Sequence, residues 1–322
     1  MKPGFKPLCA AIVILAVITI MVNLNVGFIS LSLSDFFSDS GHSQIAQIRM
    51  NRILVMALAG ISIPTSGFLL QEYFQNPLAG PSVLGITSVA SLSVAFYIFF
   101  FHDFALPEFL QNGFISIAAV TGSILMMLVL ISFSNTFQDK SFLIIFGFLV
   151  SALAGAVVAL LQLYADNQSL KNYILWSYGA NQQVSNYQLI ILSVIVFIGL
   201  MVSFRTIKPL IGNTLGIQYA QSFGVNLTQL KYLIIISSSL LSASVTAFLG
   251  PVLFIGIVVP HFCRMIWNPA QLWHQWILNM LLGIFIMELF SVISELIQLP
   301  LNVITSLFGI PVILLMLIKS RR

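Results

Sequence analysis

Apolar residues run through this chain in long blocks rather than alternating with polar ones, and the polar residues collect in short gaps between the blocks. A hydrocarbon layer about 30 Å thick takes roughly 20 residues of helix to cross, fewer where neighbouring protein covers an end. That length assigns helices near 8–27, 53–73, 83–101, 113–134, 142–164, 187–204, 232–249, 252–266, 275–296 and 303–318, ten crossings, of which the eighth is the shortest. The expected fold class is an all-α integral membrane protein with about ten transmembrane helices in a compact bundle. A single transmembrane domain would fill 1–322, with a cytoplasmic loop near 205–230.

Composition agrees on the solvent. The chain is 59% hydrophobic and 7% charged, with a mean hydropathy of +1.03, whereas a soluble domain carries about 25% charged residues. The formal charge of +4 comes from 13 scattered basic residues. Nucleic acid is not an expected partner, because binding it needs a clustered basic face. Lys2 and Lys6 ahead of the first apolar run imitate a signal peptide, but no small-residue cleavage motif follows cleanly, so this run is expected to stay as the first helix.

Basic residues in short loops mark the cytoplasmic side. With an even number of crossings, Lys2, Lys6, Lys140, Arg205, Lys208, Lys319, Arg321 and Arg322 all fall there. Arg49 and Arg52 fall outside and need another reason. The outer loops are too short to hold a soluble catalytic domain. The cytoplasmic stretch FRTIKPLIGNTLGIQYAQSFGVNLTQLK carries three glycines and is expected to form short surface helices on which a partner protein docks. Small residues punctuate the spans in GISIPTSG at 60–67, GFLVSALAGA at 147–156 and SSSLLSASVTAFLG at 237–250. Such residues let helices approach closely and satisfy hydroxyls across them, although a pore lined by small residues would read the same way.

Site chemistry is sparse. The sequence contains no phosphate loop, no H-E-x-x-H and no G-x-S-x-G, so no catalytic residue is assigned. His42, His102, His261 and His274 are far apart, and Cys9 and Cys263 lack paired spacing, so neither a metal site nor a disulfide is expected and both cysteines read as small core residues. Glu288 lies inside the ninth apolar segment. An intramembrane carboxylate is by default a functional candidate, set here against a protonated or hydrogen-bonded structural acid. Gln71 and Glu72 are expected at the cytoplasmic interface, and Glu295 near the last outer turn.

Four blocks carry a resemblance. RMNRILVMALAG (Arg49 to Gly60) leads into SGFLLQ and then NPLAGPSVLG (Asn76 to Gly85); WSYG, LGIQYAQSFGV (Leu215 to Val225) and GPVLFIGIVVPHFCR (Gly250 to Arg264) follow in order. Together with Leu299-Pro300 and the Gly309-Ile310-Pro311 group, they resemble the permease subunits of ABC importers for iron-siderophore, haem and cobalamin, over about residue 49 to the C-terminus.

The resemblance implies ten transmembrane helices per subunit in one permease domain, with a second permease subunit, two cytoplasmic ATPases that use ATP and Mg2+, and an extracytoplasmic substrate-binding protein. The permease itself would be non-catalytic, bind no cofactor and sit in a bacterial inner membrane, with an iron chelate, a ferric siderophore by preference, as substrate. Arg49 and Arg52 match outward positions that dock on acids of the binding protein. Leu215, Gly216, Ala220, Gly224 and Val225 match the segment that couples to the ATPase. Asn76, Pro77, Pro81 and Gly85, with Pro260, His261 and Arg264, form the cytoplasmic motif, His261 being a hydrogen-bonding or capping residue.

The chain also departs from the pattern. RMNR lacks the usual proline, no arginine follows Glu288, and Gln298 and Asn302 replace the usual Glu and Gly. An arginine-poor second interface favours a heterodimer over a homodimer. An ion-coupled transporter using Glu288, or an intramembrane enzyme joining Glu288 to His261, remain the competing readings.

Overall fold

The computed structural model describes residues 4–27, 29, 31, 35, 42–101, 108–136, 140–179, 184–267 and 271–320. His102, Lys2, Arg321 and Arg322 lie outside the described residues, as does the side chain of Lys319. The described residues form α1 (Phe5–Asn25), α2 (Ser43–Phe74), α3 (Ile86–Phe101), α4 (Glu108–Thr136), α5 (Lys140–Tyr164), α6 (Asn167–Ser177), α7 (Asn186–Thr214), α8 (Ile217–Ser222), α9 (Leu227–Leu249), α10 (Ile255–Ile266), α11 (Leu272–Ile297) and α12 (Leu301–Ser320). Seven of them, α1, α2, α4, α5, α7, α9 and α11, are long and apolar enough to cross a membrane. Three more, α3, α10 and α12, are apolar but shorter. The chain is a multi-pass membrane protein.

The central strut is α2, whose 32 residues reach about 48 Å at 1.5 Å per residue. It packs against α11, α9, α10 and α7, and the small residues of 60–67 make this possible. A Cβ added to Gly60 would lie 2.5 Å from the Gly283 carbonyl oxygen on α11, and one added to Gly67 would lie 1.7 Å from that of Gly256 on α10. No side chain fits at either crossing. Helix α9 uses hydroxyls for the same purpose. Ser66 Oγ donates to the Ser238 carbonyl (2.9 Å), Ser237 Oγ to that of Gly199 (2.9 Å) and Ser116 Oγ to that of Ala247 (3.1 Å). The packing expectation therefore holds for 60–67 and 237–250. On α5 it holds for Gly147, against the Leu84 backbone, but a Cβ on Gly155 would meet nothing within 4 Å, and Phe148, Leu149 and Leu153 stay exposed on that helix.

The eighth expected crossing, 252–266, contains the shorter apolar helix α10 preceded by irregular backbone. Helix α10 has 12 residues and rises about 18 Å, well short of a full crossing. Residues 250–254 approach it as irregular backbone, with Phe254 at φ 64° and Gly250 at φ 71°. Backbone without internal hydrogen bonds is tolerated at membrane depth only where protein covers it, and here it is covered. A Cβ on Gly250 would come 2.4 Å from the Trp176 carbonyl, and one on Gly309 would come 2.5 Å from Phe254 Cβ.

Two boundaries also move. Helix α2 begins at Ser43, ten residues before the expected 53, so Arg49 and Arg52 are helical rather than in a loop. Helix α7 continues to Thr214, so the first part of the expected 205–230 loop is helix. Hydropathy registers where hydrocarbon ends, and a helix does not have to end there. The outer connection contains α6, whose start is capped by Asp166, accepting from the backbone N–H of Gln168 (2.9 Å) and Ser169 (3.0 Å). Hydrogen bonds from Ser169 hold the Asp166 carboxyl below the usual range.

Candidate functional site

At the outer end of α2, two arginines turn inward. Arg52 Nη2 donates to the backbone carbonyl and side-chain oxygen of Asn23, both at 2.9 Å, and to the Val26 carbonyl at 3.3 Å. Its Nη1 pairs with Glu295 Oε1. Asn23 passes the chain on, its Nδ2 donating to Glu288 Oε2 at 2.7 Å. Arg49 donates to the carbonyls of Leu24 (3.0 Å) and Ile29. The cluster thus ties the end of α1 to α2 and α11. Arg49 and Arg52 are 5% and 7% exposed, so the outward display expected of them is not what this conformation presents. Their donors serve α1 and α11 instead. Asn23, one of the few polar residues in the first apolar run, joins these charged residues and was not singled out in the sequence.

Glu288 is fully buried, with Oε2 satisfied by Asn23 and Oε1 without a partner among the described residues. His261 lies on α10, three residues before Arg264, whose contacts are with the opposite end of α2. The shared acid-base site required by the enzyme reading does not form, since such partners must lie within hydrogen-bond reach directly or through one water.

The inner end of α2 is fastened differently. Arg264 pairs with Glu72 Oε1 at 3.2 Å and donates to Gln71 Oε1. The Gln71 amide donates in turn to the Ile257 carbonyl at 3.2 Å. Asn76 then folds the NPLAGPSVLG turn. Its side chain accepts from Leu78 N–H (2.9 Å), its own N–H donates to the Gln71 carbonyl (3.2 Å), and its carbonyl accepts from Ala79 N–H (3.1 Å). Pro77 and Pro81 belong to this turn, which ends at Gly85, while Pro260 lies within α10. Lys140 completes the corner by donating to the Tyr73 carbonyl and to Asn213 Oδ1, both at 2.9 Å, with its ammonium 4.5 Å from the Tyr73 ring centre. The sequence marked Lys140 only as a topology signal; Tyr73 and Asn213 gave none.

Between α7 and α9, the segment expected to couple to the ATPase contains the short helix α8 between turns at Gly216 and Gly224. Gly216 (φ 114°) and Gly224 (φ 75°) take conformations closed to other residues. Ala220 is buried, and its carbonyl accepts from Val225 N–H at 3.0 Å. Leu215, Tyr219 and Phe223 stand 60%, 63% and 73% exposed. Exposed apolar side chains gathered on so short a segment are the composition of an interaction surface.

At the outer end of α12, Asn302 occupies one of the positions that depart from the expected pattern. Its Nδ2 donates to the Ser177 carbonyl (2.9 Å) and more weakly to that of Leu249 (3.4 Å). It thereby joins the WSYG turn, the 250–254 segment and α12 beside a groove of about 510 Å³ lined by Ser177, Tyr178, Pro251, Asn302 and Ser306. The lining holds no charged residue. Among the described residues no three His, Cys, Asp or Glu side chains come together as metal ligands.

The model of the FecCD transport family matches residues 10–319. The chain belongs to this family. It is the membrane-spanning permease subunit of an ABC importer of the iron-siderophore, haem and cobalamin class, a family of transport permeases that work with ATPase and substrate-binding partners. The hemin transport system permease HmuU of Yersinia pestis is 29% identical, over 96% of this chain and 95% of that protein. The vitamin B12 import permease BtuC of Photorhabdus laumondii is 28% identical over 89% and 85%. The molybdate import permease MolB of Haemophilus influenzae is 27% identical over 100% and 98%. A solved ABC transporter described as of the metal-chelate type, in an inward-facing conformation, superposes with a TM-score of 0.84 at 25% identity, covering 98% of this chain and all of that one.

Proposed function

We propose that this permease moves a ferric siderophore across a bacterial cytoplasmic membrane. In this reading α3, α10 and α12 complete a ten-helix subunit, and a second permease subunit, by preference a different one, faces it across the pathway. Two ATPases hydrolyse ATP with Mg2+ on the cytoplasmic side, and an extracytoplasmic binding protein delivers the substrate. The chain itself catalyses no covalent step and holds no cofactor. The observation that carries the reading is the segment from Leu215 to Val225, where Tyr219 on α8 and the flanking Leu215 and Phe223 are exposed around turns at Gly216 and Gly224. ATP-driven closure of the partners would push this segment and tilt α7 and α9 as rigid elements.

The neutral groove beside Asn302 supports a shielded chelate over a bare oxyanion, and the preference for a siderophore among such chelates comes from the family resemblance. A bulky chelate has its metal charge shielded by its own ligands and needs no cationic lining, whereas a bare oxyanion is recognised through charged or N–H donors. Haem and cobalamin share that feature and stand as the alternatives. Arg49 and Arg52 enter as docking residues in a modified sense, because in the conformation described they shape the outer corner on which the binding protein sits. The deciding experiment reconstitutes the chain with its ATPase, second permease and binding protein in proteoliposomes with ATP inside. Labelled ferric siderophore, haemin, cobalamin and molybdate are then compared. Uptake of the siderophore alone that stops without ATP is expected. Uptake that persists without ATP hydrolysis and collapses with the proton gradient would reject the importer reading, and ATP-driven uptake of another substrate would reject only the siderophore.

A further inference from the structure

Arg205 and Lys208 are basic residues of the expected cytoplasmic side. Both lie on α7 and project from the bundle, and among the described residues neither has an ion-pair partner. They line a cavity of about 670 Å³ between α7 and the start of α9, together with Gly212, Gln229, Leu230 and Leu233. No acidic residue lines it.

Neighbouring aromatic residues fix the depth of this cavity. Trp276 Nε1 donates to Ser203 Oγ at 2.8 Å, and the Trp273 ring lies 4.9 Å from that of Phe204, centre to centre. Tryptophans gather where hydrocarbon meets headgroups, because their rings are apolar and their N–H groups polar. Arg205 follows Phe204 directly, and Lys208 is one turn further on, so both cations stand at headgroup level. Leu215, where the coupling segment starts, is ten residues beyond Arg205, about 15 Å of helix further into the cytoplasm. The cations therefore sit at the level of lipid phosphate, behind the surface offered to a soluble partner.

We infer that this cavity is a binding site for an anionic phospholipid of the cytoplasmic leaflet. Arg205 and Lys208 take the phosphate, Gln229 offers its amide to the glycerol region, and Leu230 and Leu233 line the way back toward hydrocarbon for an acyl chain. Basic pockets between transmembrane helices on the cytoplasmic side suit such headgroups, and each surface cation adds about 1 kcal/mol of attraction. The same cavity is also lined by Leu215, Phe223, Gly224 and Val225, so a bound lipid would brace α7 and α9 where they meet the segment expected to couple to the ATPase. The inference requires this end of the bundle to face the cytoplasm and does not depend on the substrate.

The test is native mass spectrometry of the purified full-length chain in detergent, titrated with phosphatidylglycerol or phosphatidylcholine of matched acyl chains. The wild type is compared with the double variant Arg205→Gln/Lys208→Gln and with Lys171→Gln, which removes an exposed cation on α6. Phosphatidylglycerol is expected to bind in preference to phosphatidylcholine, and the double variant to lose about thirty-fold of that preference, equivalent to about 2 kcal/mol, with Lys171→Gln unchanged. Equal binding of the two lipids, an unchanged preference in the double variant, or displacement of the lipid by inorganic phosphate at equal concentration would each overturn the site. Loss of ATPase co-purification in the double variant with lipid preference intact would overturn it too, assigning the cations to protein docking.

Discussion

The two ends of α2 are both fastened by an arginine, yet the two clasps are built differently. At the outer end Arg52 reaches four acceptors on α1 and α11, and at 7% exposure it is nearly dry. At the inner end Arg264 reaches the Gln71 and Glu72 side chains, both from α2 itself, and its own side chain and that of Glu72 are 22% and 17% exposed. The first is a hub whose removal strands other buried polar groups. The second is a clip to two neighbouring residues of α2, of which Glu72 keeps some access to solvent and Gln71 is buried. Breaking a buried pair costs mainly through the uncompensated group left behind, so the count of dependent partners, more than the pairing, sets the expected loss.

The largest effect is therefore expected from Arg52→Ala, which leaves the Asn23 carbonyl and Glu295 without their donor. A loss of about 3 kcal/mol is expected, read as reduced thermal stability of the purified chain in detergent. Loss no greater than that of Arg264→Ala would remove the distinction between hub and clip. The charge exchange Arg52→Glu/Glu295→Arg is expected to recover part of that stability. Retained docking of the binding protein in this exchange would assign Arg52 to shaping the outer corner, and docking that is lost while stability returns would assign it to direct contact with the partner's acids. Arg264→Ala is expected to cost about 1–2 kcal/mol. The smallest effect is expected from Glu288→Gln, whose amide oxygen still accepts from Asn23 Nδ2. Stability should stay within about 1 kcal/mol, and ATP-driven uptake should persist, while a carrier that used Glu288 for protons would stop.

Much of the fold was legible because hydrocarbon imposes a length on apolar helices. Long spans such as α5 and α9 fall close to the expected 142–164 and 232–249. The region 250–266 did not follow that rule, since its apolar residues pack against α2, α11 and α12, and burial by protein demands no minimum length. The blocks NPLAGPSVLG and LGIQYAQSFGV carried the family resemblance, and the structure gave each a local cause in the turn at Asn76 and the two glycine turns. The roles of Arg49 and Arg52 were less legible. Their placement against the charge bias was visible, but the partners that absorb them, Asn23 and Glu295, lie 29 and 243 residues from Arg52.

By itself the sequence determined that the chain lives in a membrane, that it belongs among importer permeases, and where most spans lie. All three follow from local composition or from short motifs that can be read along the chain. Only the tertiary structure decided that α10 is a short helix reached by covered irregular backbone, that the outer arginines face inward, and that Arg205 and Lys208 share a cavity with α9. Those outcomes depend on which side chains meet across helices far apart in sequence. Desolvation is what forces such polar groups to find one another, and it acts only once the bundle has closed.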